Sequence, residues 1–147
     1  MAALASSFNL MSGRIAERDQ HIARLTWQDG ATGLPNLHAM EARLAEMRDA
    51  NDPATLFAVI LAIDEFERLR LAIGHGHCVK LTAAIANRIS ATYGEIFVGC
   101  AGPDRIAAVF RAESAEAATR TAAAIAAIAV QPTRVGEDRI EIAVTTG

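Results

Sequence analysis

The hydrophobic positions of the first 28 residues recur in steps of four and three. Leu4, Phe8, Met11, Ile15, Ile22 and Leu25 form one stripe, and Arg18 stands where the seventh apolar residue belongs. That spacing predicts one helix with a heptad seam, because a 3.5-residue repeat keeps a narrow face turned towards a neighbouring helix. Positions off the stripe are polar: Arg14, Glu17, Asp19, Gln20 and Arg24. So thin a face buries little by itself. These seven residues are therefore read as a dimerisation seam in a parallel two-stranded coil, the alternative being a helix that docks back on its own domain.

Asp29-Gly30-Ala31-Thr32-Gly33-Leu34-Pro35-Asn36 is a dense turn cluster that stops this helix. Asn36 suits the N-cap of a second helix, in which Leu37, Met40, Leu44 and Met47 repeat at helical spacing up to Asp49. Asn51-Asp52-Pro53 breaks it. The apolar run Leu56 to Ile63 predicts a strand buried on both faces. Phe66 to Ile73 predicts a short helix, Gly74-His75-Gly76 a break, and Cys78, Leu81, Ile85 and Ile89 a helix to about Tyr93. A hairpin follows, with strands at Glu95–Gly99 and Ile106–Phe110 around Ala101-Gly102-Pro103-Asp104. Ser114 caps an Ala-rich helix to about Val130. Gln131–Val135 and Arg139–Thr146, joined at Gly136-Glu137, read as two closing strands, the second with Ile140, Ile142 and Val144 facing the core. The order β-α-α-β-β-α-β predicts an α+β fold, a mainly antiparallel sheet with helices packed on it.

At 147 residues the chain is one domain with a helical extension, and 52% hydrophobic residues exclude a mainly disordered chain. A net charge of −3 argues against a nucleic-acid partner. The longest apolar run, Ala122 to Val130, is about half of the roughly 20 residues that span a bilayer, so no membrane span is expected here. Cys78 and Cys100 lack CxxC spacing and read as two buried thiols.

The turn cluster Asp29–Asn36 resembles the D-x-L-T-G-L-P-N-R motif that opens GGDEF domains, the diguanylate cyclase family, with Ala31 and Leu37 as departures. Ala62-Ile-Asp-Glu-Phe-Glu-Arg-Leu-Arg-Leu-Ala-Ile-Gly-His75 resembles that family's D-x-D-x-F-K-x-I-N-D-x-x-G-H, and Gly102-Pro-Asp-Arg-Ile106 sits where its G-G-D-E-F signature belongs. The resemblance covers residues 29 to 147. It implies a nucleotidyl-cyclase-like, ferredoxin-like core truncated before its final helix and strand, with residues 1–28 as a separate signalling helix.

Family members condense two GTP molecules into cyclic di-GMP, each subunit of a dimer holding one GTP at the hairpin. The resemblance places a metal-binding Asp at Ala62, a phosphate-neutralising Lys at Glu67, and guanine-reading Asn and Asp side chains at Arg70 and Val79. It places the glycine against which the phosphates lie at Pro103, a catalytic Glu at Arg105 and the signature Phe at Ile106. Asp104 retains an acidic metal position and Asp64 the second Asp of D-x-D. The inhibitory product site, R-x-x-D, falls on Tyr93 and Ile96 and is lost. A degenerate signature loop, Gly102 to Ile106, thus stands in a chain with no expected catalytic residue, metal or cofactor. Residual nucleotide contacts are confined to Asp64, Gly74, His75 and Asp104. The reading is an inactive GGDEF domain that transmits signal or holds a dimer. The alternatives are a GTP-binding allosteric domain without turnover, or a cyclase with an unconventional metal arrangement.

Leu4-Ala-Ser-Ser-Phe-Asn-Leu-Met11 resembles the last helix of a HAMP linker. That implies a membrane-embedded sensor upstream and a place on the cytoplasmic face of a bacterial inner membrane. Degenerate family members are often followed by an EAL phosphodiesterase domain, which is the expected downstream effector. A helix with Arg18 in its seam suits a two-state element. Of the remaining groups, His75 and His77 read as a helix start and an exposed side chain, Glu65 and Glu67 as surface charge, Arg68 and Arg70 as a weak anion patch, and Trp27 as an anchor for the first helix.

Overall fold

The computed structural model describes the backbone of residues 2–147 and the side chains of all but residues 1–5 and 8, so the seam positions Leu4 and Phe8 lie outside the described side chains. The first helix, α1 (Ala2–Trp27), is followed by α2 (Leu37–Asp49), β1 (Thr55–Ile63), α3 (Phe66–Ile73), α4 (His75–Thr92), β2 (Phe97–Gly102), β3 (Arg105–Ala112) and α5 (Ala115–Ala129). The chain ends in β4 (Thr133–Val135), β5 (Asp138–Ile140) and β6 (Val144–Thr146). The two caps read in the sequence form as expected: Asn36 accepts from the Ala39 N–H at 2.9 Å and Ser114 from the Ala117 N–H at 3.1 Å.

Strands β2-β3-β1-β6 make one sheet in that order, every pairing antiparallel. One sheet face packs on α4 and α5 through Leu61, Leu81, Ile85, Ile89, Ile106 and Ile125, all fully buried. Burying each such side chain contributes about 1.5–3 kcal/mol. The other face, at Ala107 and Val109, is covered by Met40 of α2.

Four sequence expectations need correction. Strand β1 is fully buried on one face only: Val59, Leu61 and Ile63 point into the core, while Ala58 and Ile60 on the other face are exposed, because α2 covers that side of the sheet over β2 and β3 and leaves the middle of β1 open. The stretch Arg139–Thr146 is two strands: β5 pairs only with β4, and the chain then crosses to lay β6 beside β1. The alternation of Ile140, Ile142 and Val144 runs through both, so it carries no mark of the change of sheet. The β2–β3 turn is tighter than expected, Pro103-Asp104 alone, and β2 begins later, at Phe97, because Glu95 is used in a turn closed by Ile96 N–H donating to Tyr93 O. Gly74, at φ +86°, is by itself the break between α3 and α4, and Gly76 lies inside the helix.

Two arginines tie distant segments together. Arg88 of α4 donates to the carbonyls of Ile128 and Gln131, both at 3.0 Å, and to Thr133 Oγ1 at 2.5 Å. Arg111 of β3 donates to the Ala54 carbonyl at 2.9 Å and to the Met47 carbonyl, and pairs with Asp52 at 3.5 Å. Thr82 of α4 is 1% exposed and its hydroxyl has no hydrogen-bond partner among the described residues. A buried hydroxyl without a partner costs more than it returns. Thr82→Val should therefore raise the unfolding free energy by about 1 kcal/mol in denaturant titration.

Candidate functional site

The site lies where β1, the β2–β3 hairpin and the starts of α3 and α4 meet. Ile63 N–H donates to Asp104 O at 2.9 Å, which presses the hairpin tip against the end of β1. Ala62 is thereby set opposite Arg105 on one side and Thr145 on the other. The chain leaves β1 through Asp64 and Glu65. Asp64 N–H donates to Ala143 O, and its carboxylate accepts from Thr145 Oγ1 at 2.7 Å. Glu65, at φ +51°, is the one non-glycine residue in the left-handed region among the described residues, in the tight step into α3.

Two recesses open here. The larger, about 660 Å³, lies between the hairpin residues Pro103 and Asp104 and the start of α3, with Glu65, Glu67 and Arg68 on its wall. The smaller, about 190 Å³, lies behind the hairpin, with Phe66, His75, Cys78, Val79, Cys100 and Pro103 among its lining residues. Three of its polar groups, on Asp29, Thr32 and Cys100, are already engaged. Asp29 Oδ2 accepts from Thr32 N–H at 2.8 Å and Thr32 Oγ1 at 2.7 Å, and the Cys100 thiol donates to Gly102 O at 3.1 Å. Both cysteines are buried and free, as expected. Burial pushes each thiol above its ordinary pKa, an effect that Arg70 partly offsets at Cys78 and the Asp29 carboxylate augments at Cys100. Neither is primed as a nucleophile.

The charges on the larger recess cancel in pairs. Glu67 bonds Arg70 at 2.6 Å, Glu65 bonds Arg68 at 2.8 Å, and Asp104 lies 4.0 Å from Arg105. This corrects the reading of Arg68 and Arg70 as an anion patch, since each guanidinium already faces a carboxylate three residues earlier. His77 is also corrected: it is half-buried, with Nδ1 2.9 Å from Ile73 O, while His75 is exposed at the first position of α4. Val79 brings only a hydrocarbon surface to the smaller recess. Tyr93 and Ile96 are not part of this site; they line a separate hollow beside Arg111 and Asp52.

The magnesium ion implied by the resemblance asks for hard oxygen ligands, usually more than one from the protein. Ala62 offers none, Pro103 has no N–H, the Asp64 carboxylate holds Thr145, and Asp104 shares its field with Arg105. Among the described residues no group of three or more His, Cys, Asp or Glu side chains is placed to hold a metal. The residues present do not fit the ion.

Sequence reasoning missed Gly99. A Cβ there would lie 2.5 Å from Met40 Sδ and 2.7 Å from Pro35 O, so the glycine lets the Thr32–Asn36 turn sit on β2, where Cys100 N–H donates to Pro35 O at 2.8 Å. It also passed over the double use of Asn36. That amide caps α2 and donates through Nδ2 to Thr26 O of α1 at 2.8 Å. Beside it Trp27 stacks on His38 with ring centroids 4.7 Å apart, the anchoring contact expected of that residue. The two helices are thus joined through the Asn36 side chain, the ring pair and a backbone bond from Asn36 N–H to Trp27 O at 2.9 Å.

Known proteins place this arrangement. The family model described as "Diguanylate cyclase, GGDEF domain" matches residues 26–147. Among solved structures, a diguanylate cyclase/phosphodiesterase from Caldicellulosiruptor saccharolyticus superposes with a TM-score of 0.75 at 22% identity, covering 86% of this chain and 76% of that one. The GGDEF domain of TpbB, or YfiN, from Pseudomonas aeruginosa gives 0.70 at 28% identity, covering 82% and 73%. The coiled coil and GGDEF domain of DgcB from Caulobacter crescentus, in complex with c-di-GMP, gives 0.67 at 21% identity, covering 99% and 80%. No curated protein sequence matches significantly. By its motifs, its fold and this match, the chain belongs to the GGDEF diguanylate cyclase family, the family of cyclic di-GMP signalling.

Proposed function

We propose that this GGDEF domain is catalytically inactive and serves as a signal-transmitting, dimer-holding module that regulates an effector elsewhere in a longer chain, such as an EAL phosphodiesterase domain. One observation carries the reading: Glu67 and Arg70, at the positions that the resemblance gives to phosphate neutralisation and guanine reading, are bonded to each other at 2.6 Å. Phosphoryl transfer depends on positioning and on charge stabilisation by metal and cations. Here the cation is a carboxylate, the base-reading groups are a guanidinium in use and an isopropyl group, and the metal position at Ala62 is a methyl group.

What stays intact is mechanical. α1 enters the domain through Asn36 and the Trp27–His38 stack, so a change in the pose of α1 reaches α2 and, through Met40 and Pro35, strand β2. A parallel pair of α1 helices would set two such domains side by side. The HAMP-like motif at Leu4–Met11 supports a membrane-embedded sensor upstream and a site at the cytoplasmic face; no helix among the described residues is itself long and apolar enough to cross a membrane. Titration of the purified chain with GTP and magnesium in a calorimeter, to millimolar nucleotide, should give only heats of dilution. A saturable heat would favour a GTP-binding domain that does not turn over.

A further inference from the structure

The smaller recess behind the hairpin is a hollow that the domain builds and leaves unfilled. Among its lining side chains Phe66, Cys78 and Cys100 are buried, at 9%, 1% and 5% exposure, whereas Ala31, His75 and Pro103 are open to solvent. The first three therefore form its floor and the last three its lip. Its volume of about 190 Å³ far exceeds the water-sized voids that packed interiors leave.

Fixed contacts hold the walls apart. The Asp29–Thr32 bonds set the turn on one side. On the other side the Cys100 thiol bonds Gly102 O, and Ile63 N–H donating to Asp104 O pins the hairpin tip to β1. Pro103 adds a ring whose backbone angle is restricted. Walls set in advance leave a ligand little ordering cost.

The surface they present is mainly hydrocarbon and sulfur. Ala31, Phe66, Val79 and Pro103 supply the hydrocarbon, and burial keeps the Cys78 and Cys100 thiols protonated. An anion entering would meet no cation except an exposed His75 at the lip. A cation would meet only the Asp29 carboxylate, which already accepts two bonds from Thr32. Either ion would lose its water for little return, whereas an apolar ring loses nothing and gains contact. Size narrows the class further. An apolar cavity of about 150 Å³ takes a benzene ring. Drug-sized ligands need about 300–1,000 Å³.

We propose that this recess binds a small, uncharged aromatic compound of one ring. The inference rests on the reading above that the site holds no nucleotide: Val79, where the resemblance puts a guanine-reading carboxylate, is part of what makes the wall apolar. Asp29, Ala31 and Thr32 belong to the turn through which α1 enters the domain, so an occupant touches that turn, α4 and the hairpin together.

The test titrates the isotope-labelled chain with toluene and follows its backbone amides by nuclear magnetic resonance. Saturable shifts are expected at Phe66, Cys78, Val79, Cys100 and Gly102, half complete at on the order of 1 mM toluene. Benzoate and benzylammonium carry the same ring with a charge and should bind about tenfold more weakly or worse. Val79→Phe fills the recess and should weaken toluene binding about tenfold or more. Val79→Thr keeps the volume, adds a hydroxyl and should weaken it about threefold, which serves if the larger substitution disturbs folding. Shifts that do not saturate, shifts centred on another surface, or unchanged affinity in the folded Val79 variants overturn the proposal. A charged ring that binds as tightly as toluene overturns the ligand class. GTP with magnesium is titrated in parallel. Saturable GTP shifts at the same amides overturn the reading of a site without nucleotide, and this inference with it. No response to either GTP or toluene overturns this inference alone.

Discussion

Replacing Gly99 by alanine lowers the melting temperature by on the order of 10 °C, which corresponds to about 2–3 kcal/mol for a domain of this size. The cost comes from contact with a backbone. The new methyl would meet Met40 Sδ at 2.5 Å, which a flexible thioether relieves by turning, and Pro35 O at 2.7 Å, which nothing relieves cheaply. Pro35 O is the acceptor for Cys100 N–H, so moving it away opens a buried hydrogen bond between the turn and β2. Combining Gly99→Ala with Met40→Ala separates the two contributions. Measured against Met40→Ala alone, which itself loses core packing, the double variant is further destabilised if the Pro35 contact dominates and is not if Met40 alone is at fault. Thermal unfolding followed by circular dichroism reads both. The same turn holds Asn36, so a lifted turn also loosens the joint between α1 and α2.

Arg88→Met is the second large effect. The methionine keeps the packed stem and removes the guanidinium, which leaves the Ile128 and Gln131 carbonyls and the Thr133 hydroxyl without their shared donor. Thr133 is 4% exposed, so water does not readily replace that bond. Hydrogen bonds to a charged donor contribute about 1.5–3 kcal/mol each at best, and with part of the cluster reaching solvent a loss of about 2–3 kcal/mol is expected. Hydrogen exchange should show it locally, with the end of α5 and the β4–β5 hairpin losing protection before the sheet does. Uniform loss of protection across the domain would mean that Arg88 acts on global stability instead.

The helices were legible because their boundaries are written in single residues: Asn36 and Ser114 as caps, Pro53 and Gly74 as breaks. Strand β1 was legible as an unbroken apolar run. The division of Arg139–Thr146 was not, since a period-two pattern says which face is buried and nothing about which sheet is joined. Gly99, Arg88 and Arg111 were opaque for a related reason. Their partners lie 40 to 64 residues away for the two arginines, and on a different element for the glycine, so no local spacing marks them. In the site, the substitutions at Ala62, Glu67, Arg70, Val79 and Pro103 could be read only against the motifs of the family that the sequence resembles. The pairing of Glu67 with Arg70 was also within reach, as a carboxylate and a guanidinium three residues apart on a helix, and it turns a list of altered positions into a closed electrostatic arrangement.

The account stands on the claim that this nucleotide site does no chemistry. Incubating the purified chain with GTP and magnesium over a series of protein concentrations, and separating the products by chromatography, tests that claim most directly. The account predicts GTP recovered intact, with no cyclic di-GMP and no linear intermediate above a protein-free control. Cyclic di-GMP accumulating in proportion to protein and time would contradict it.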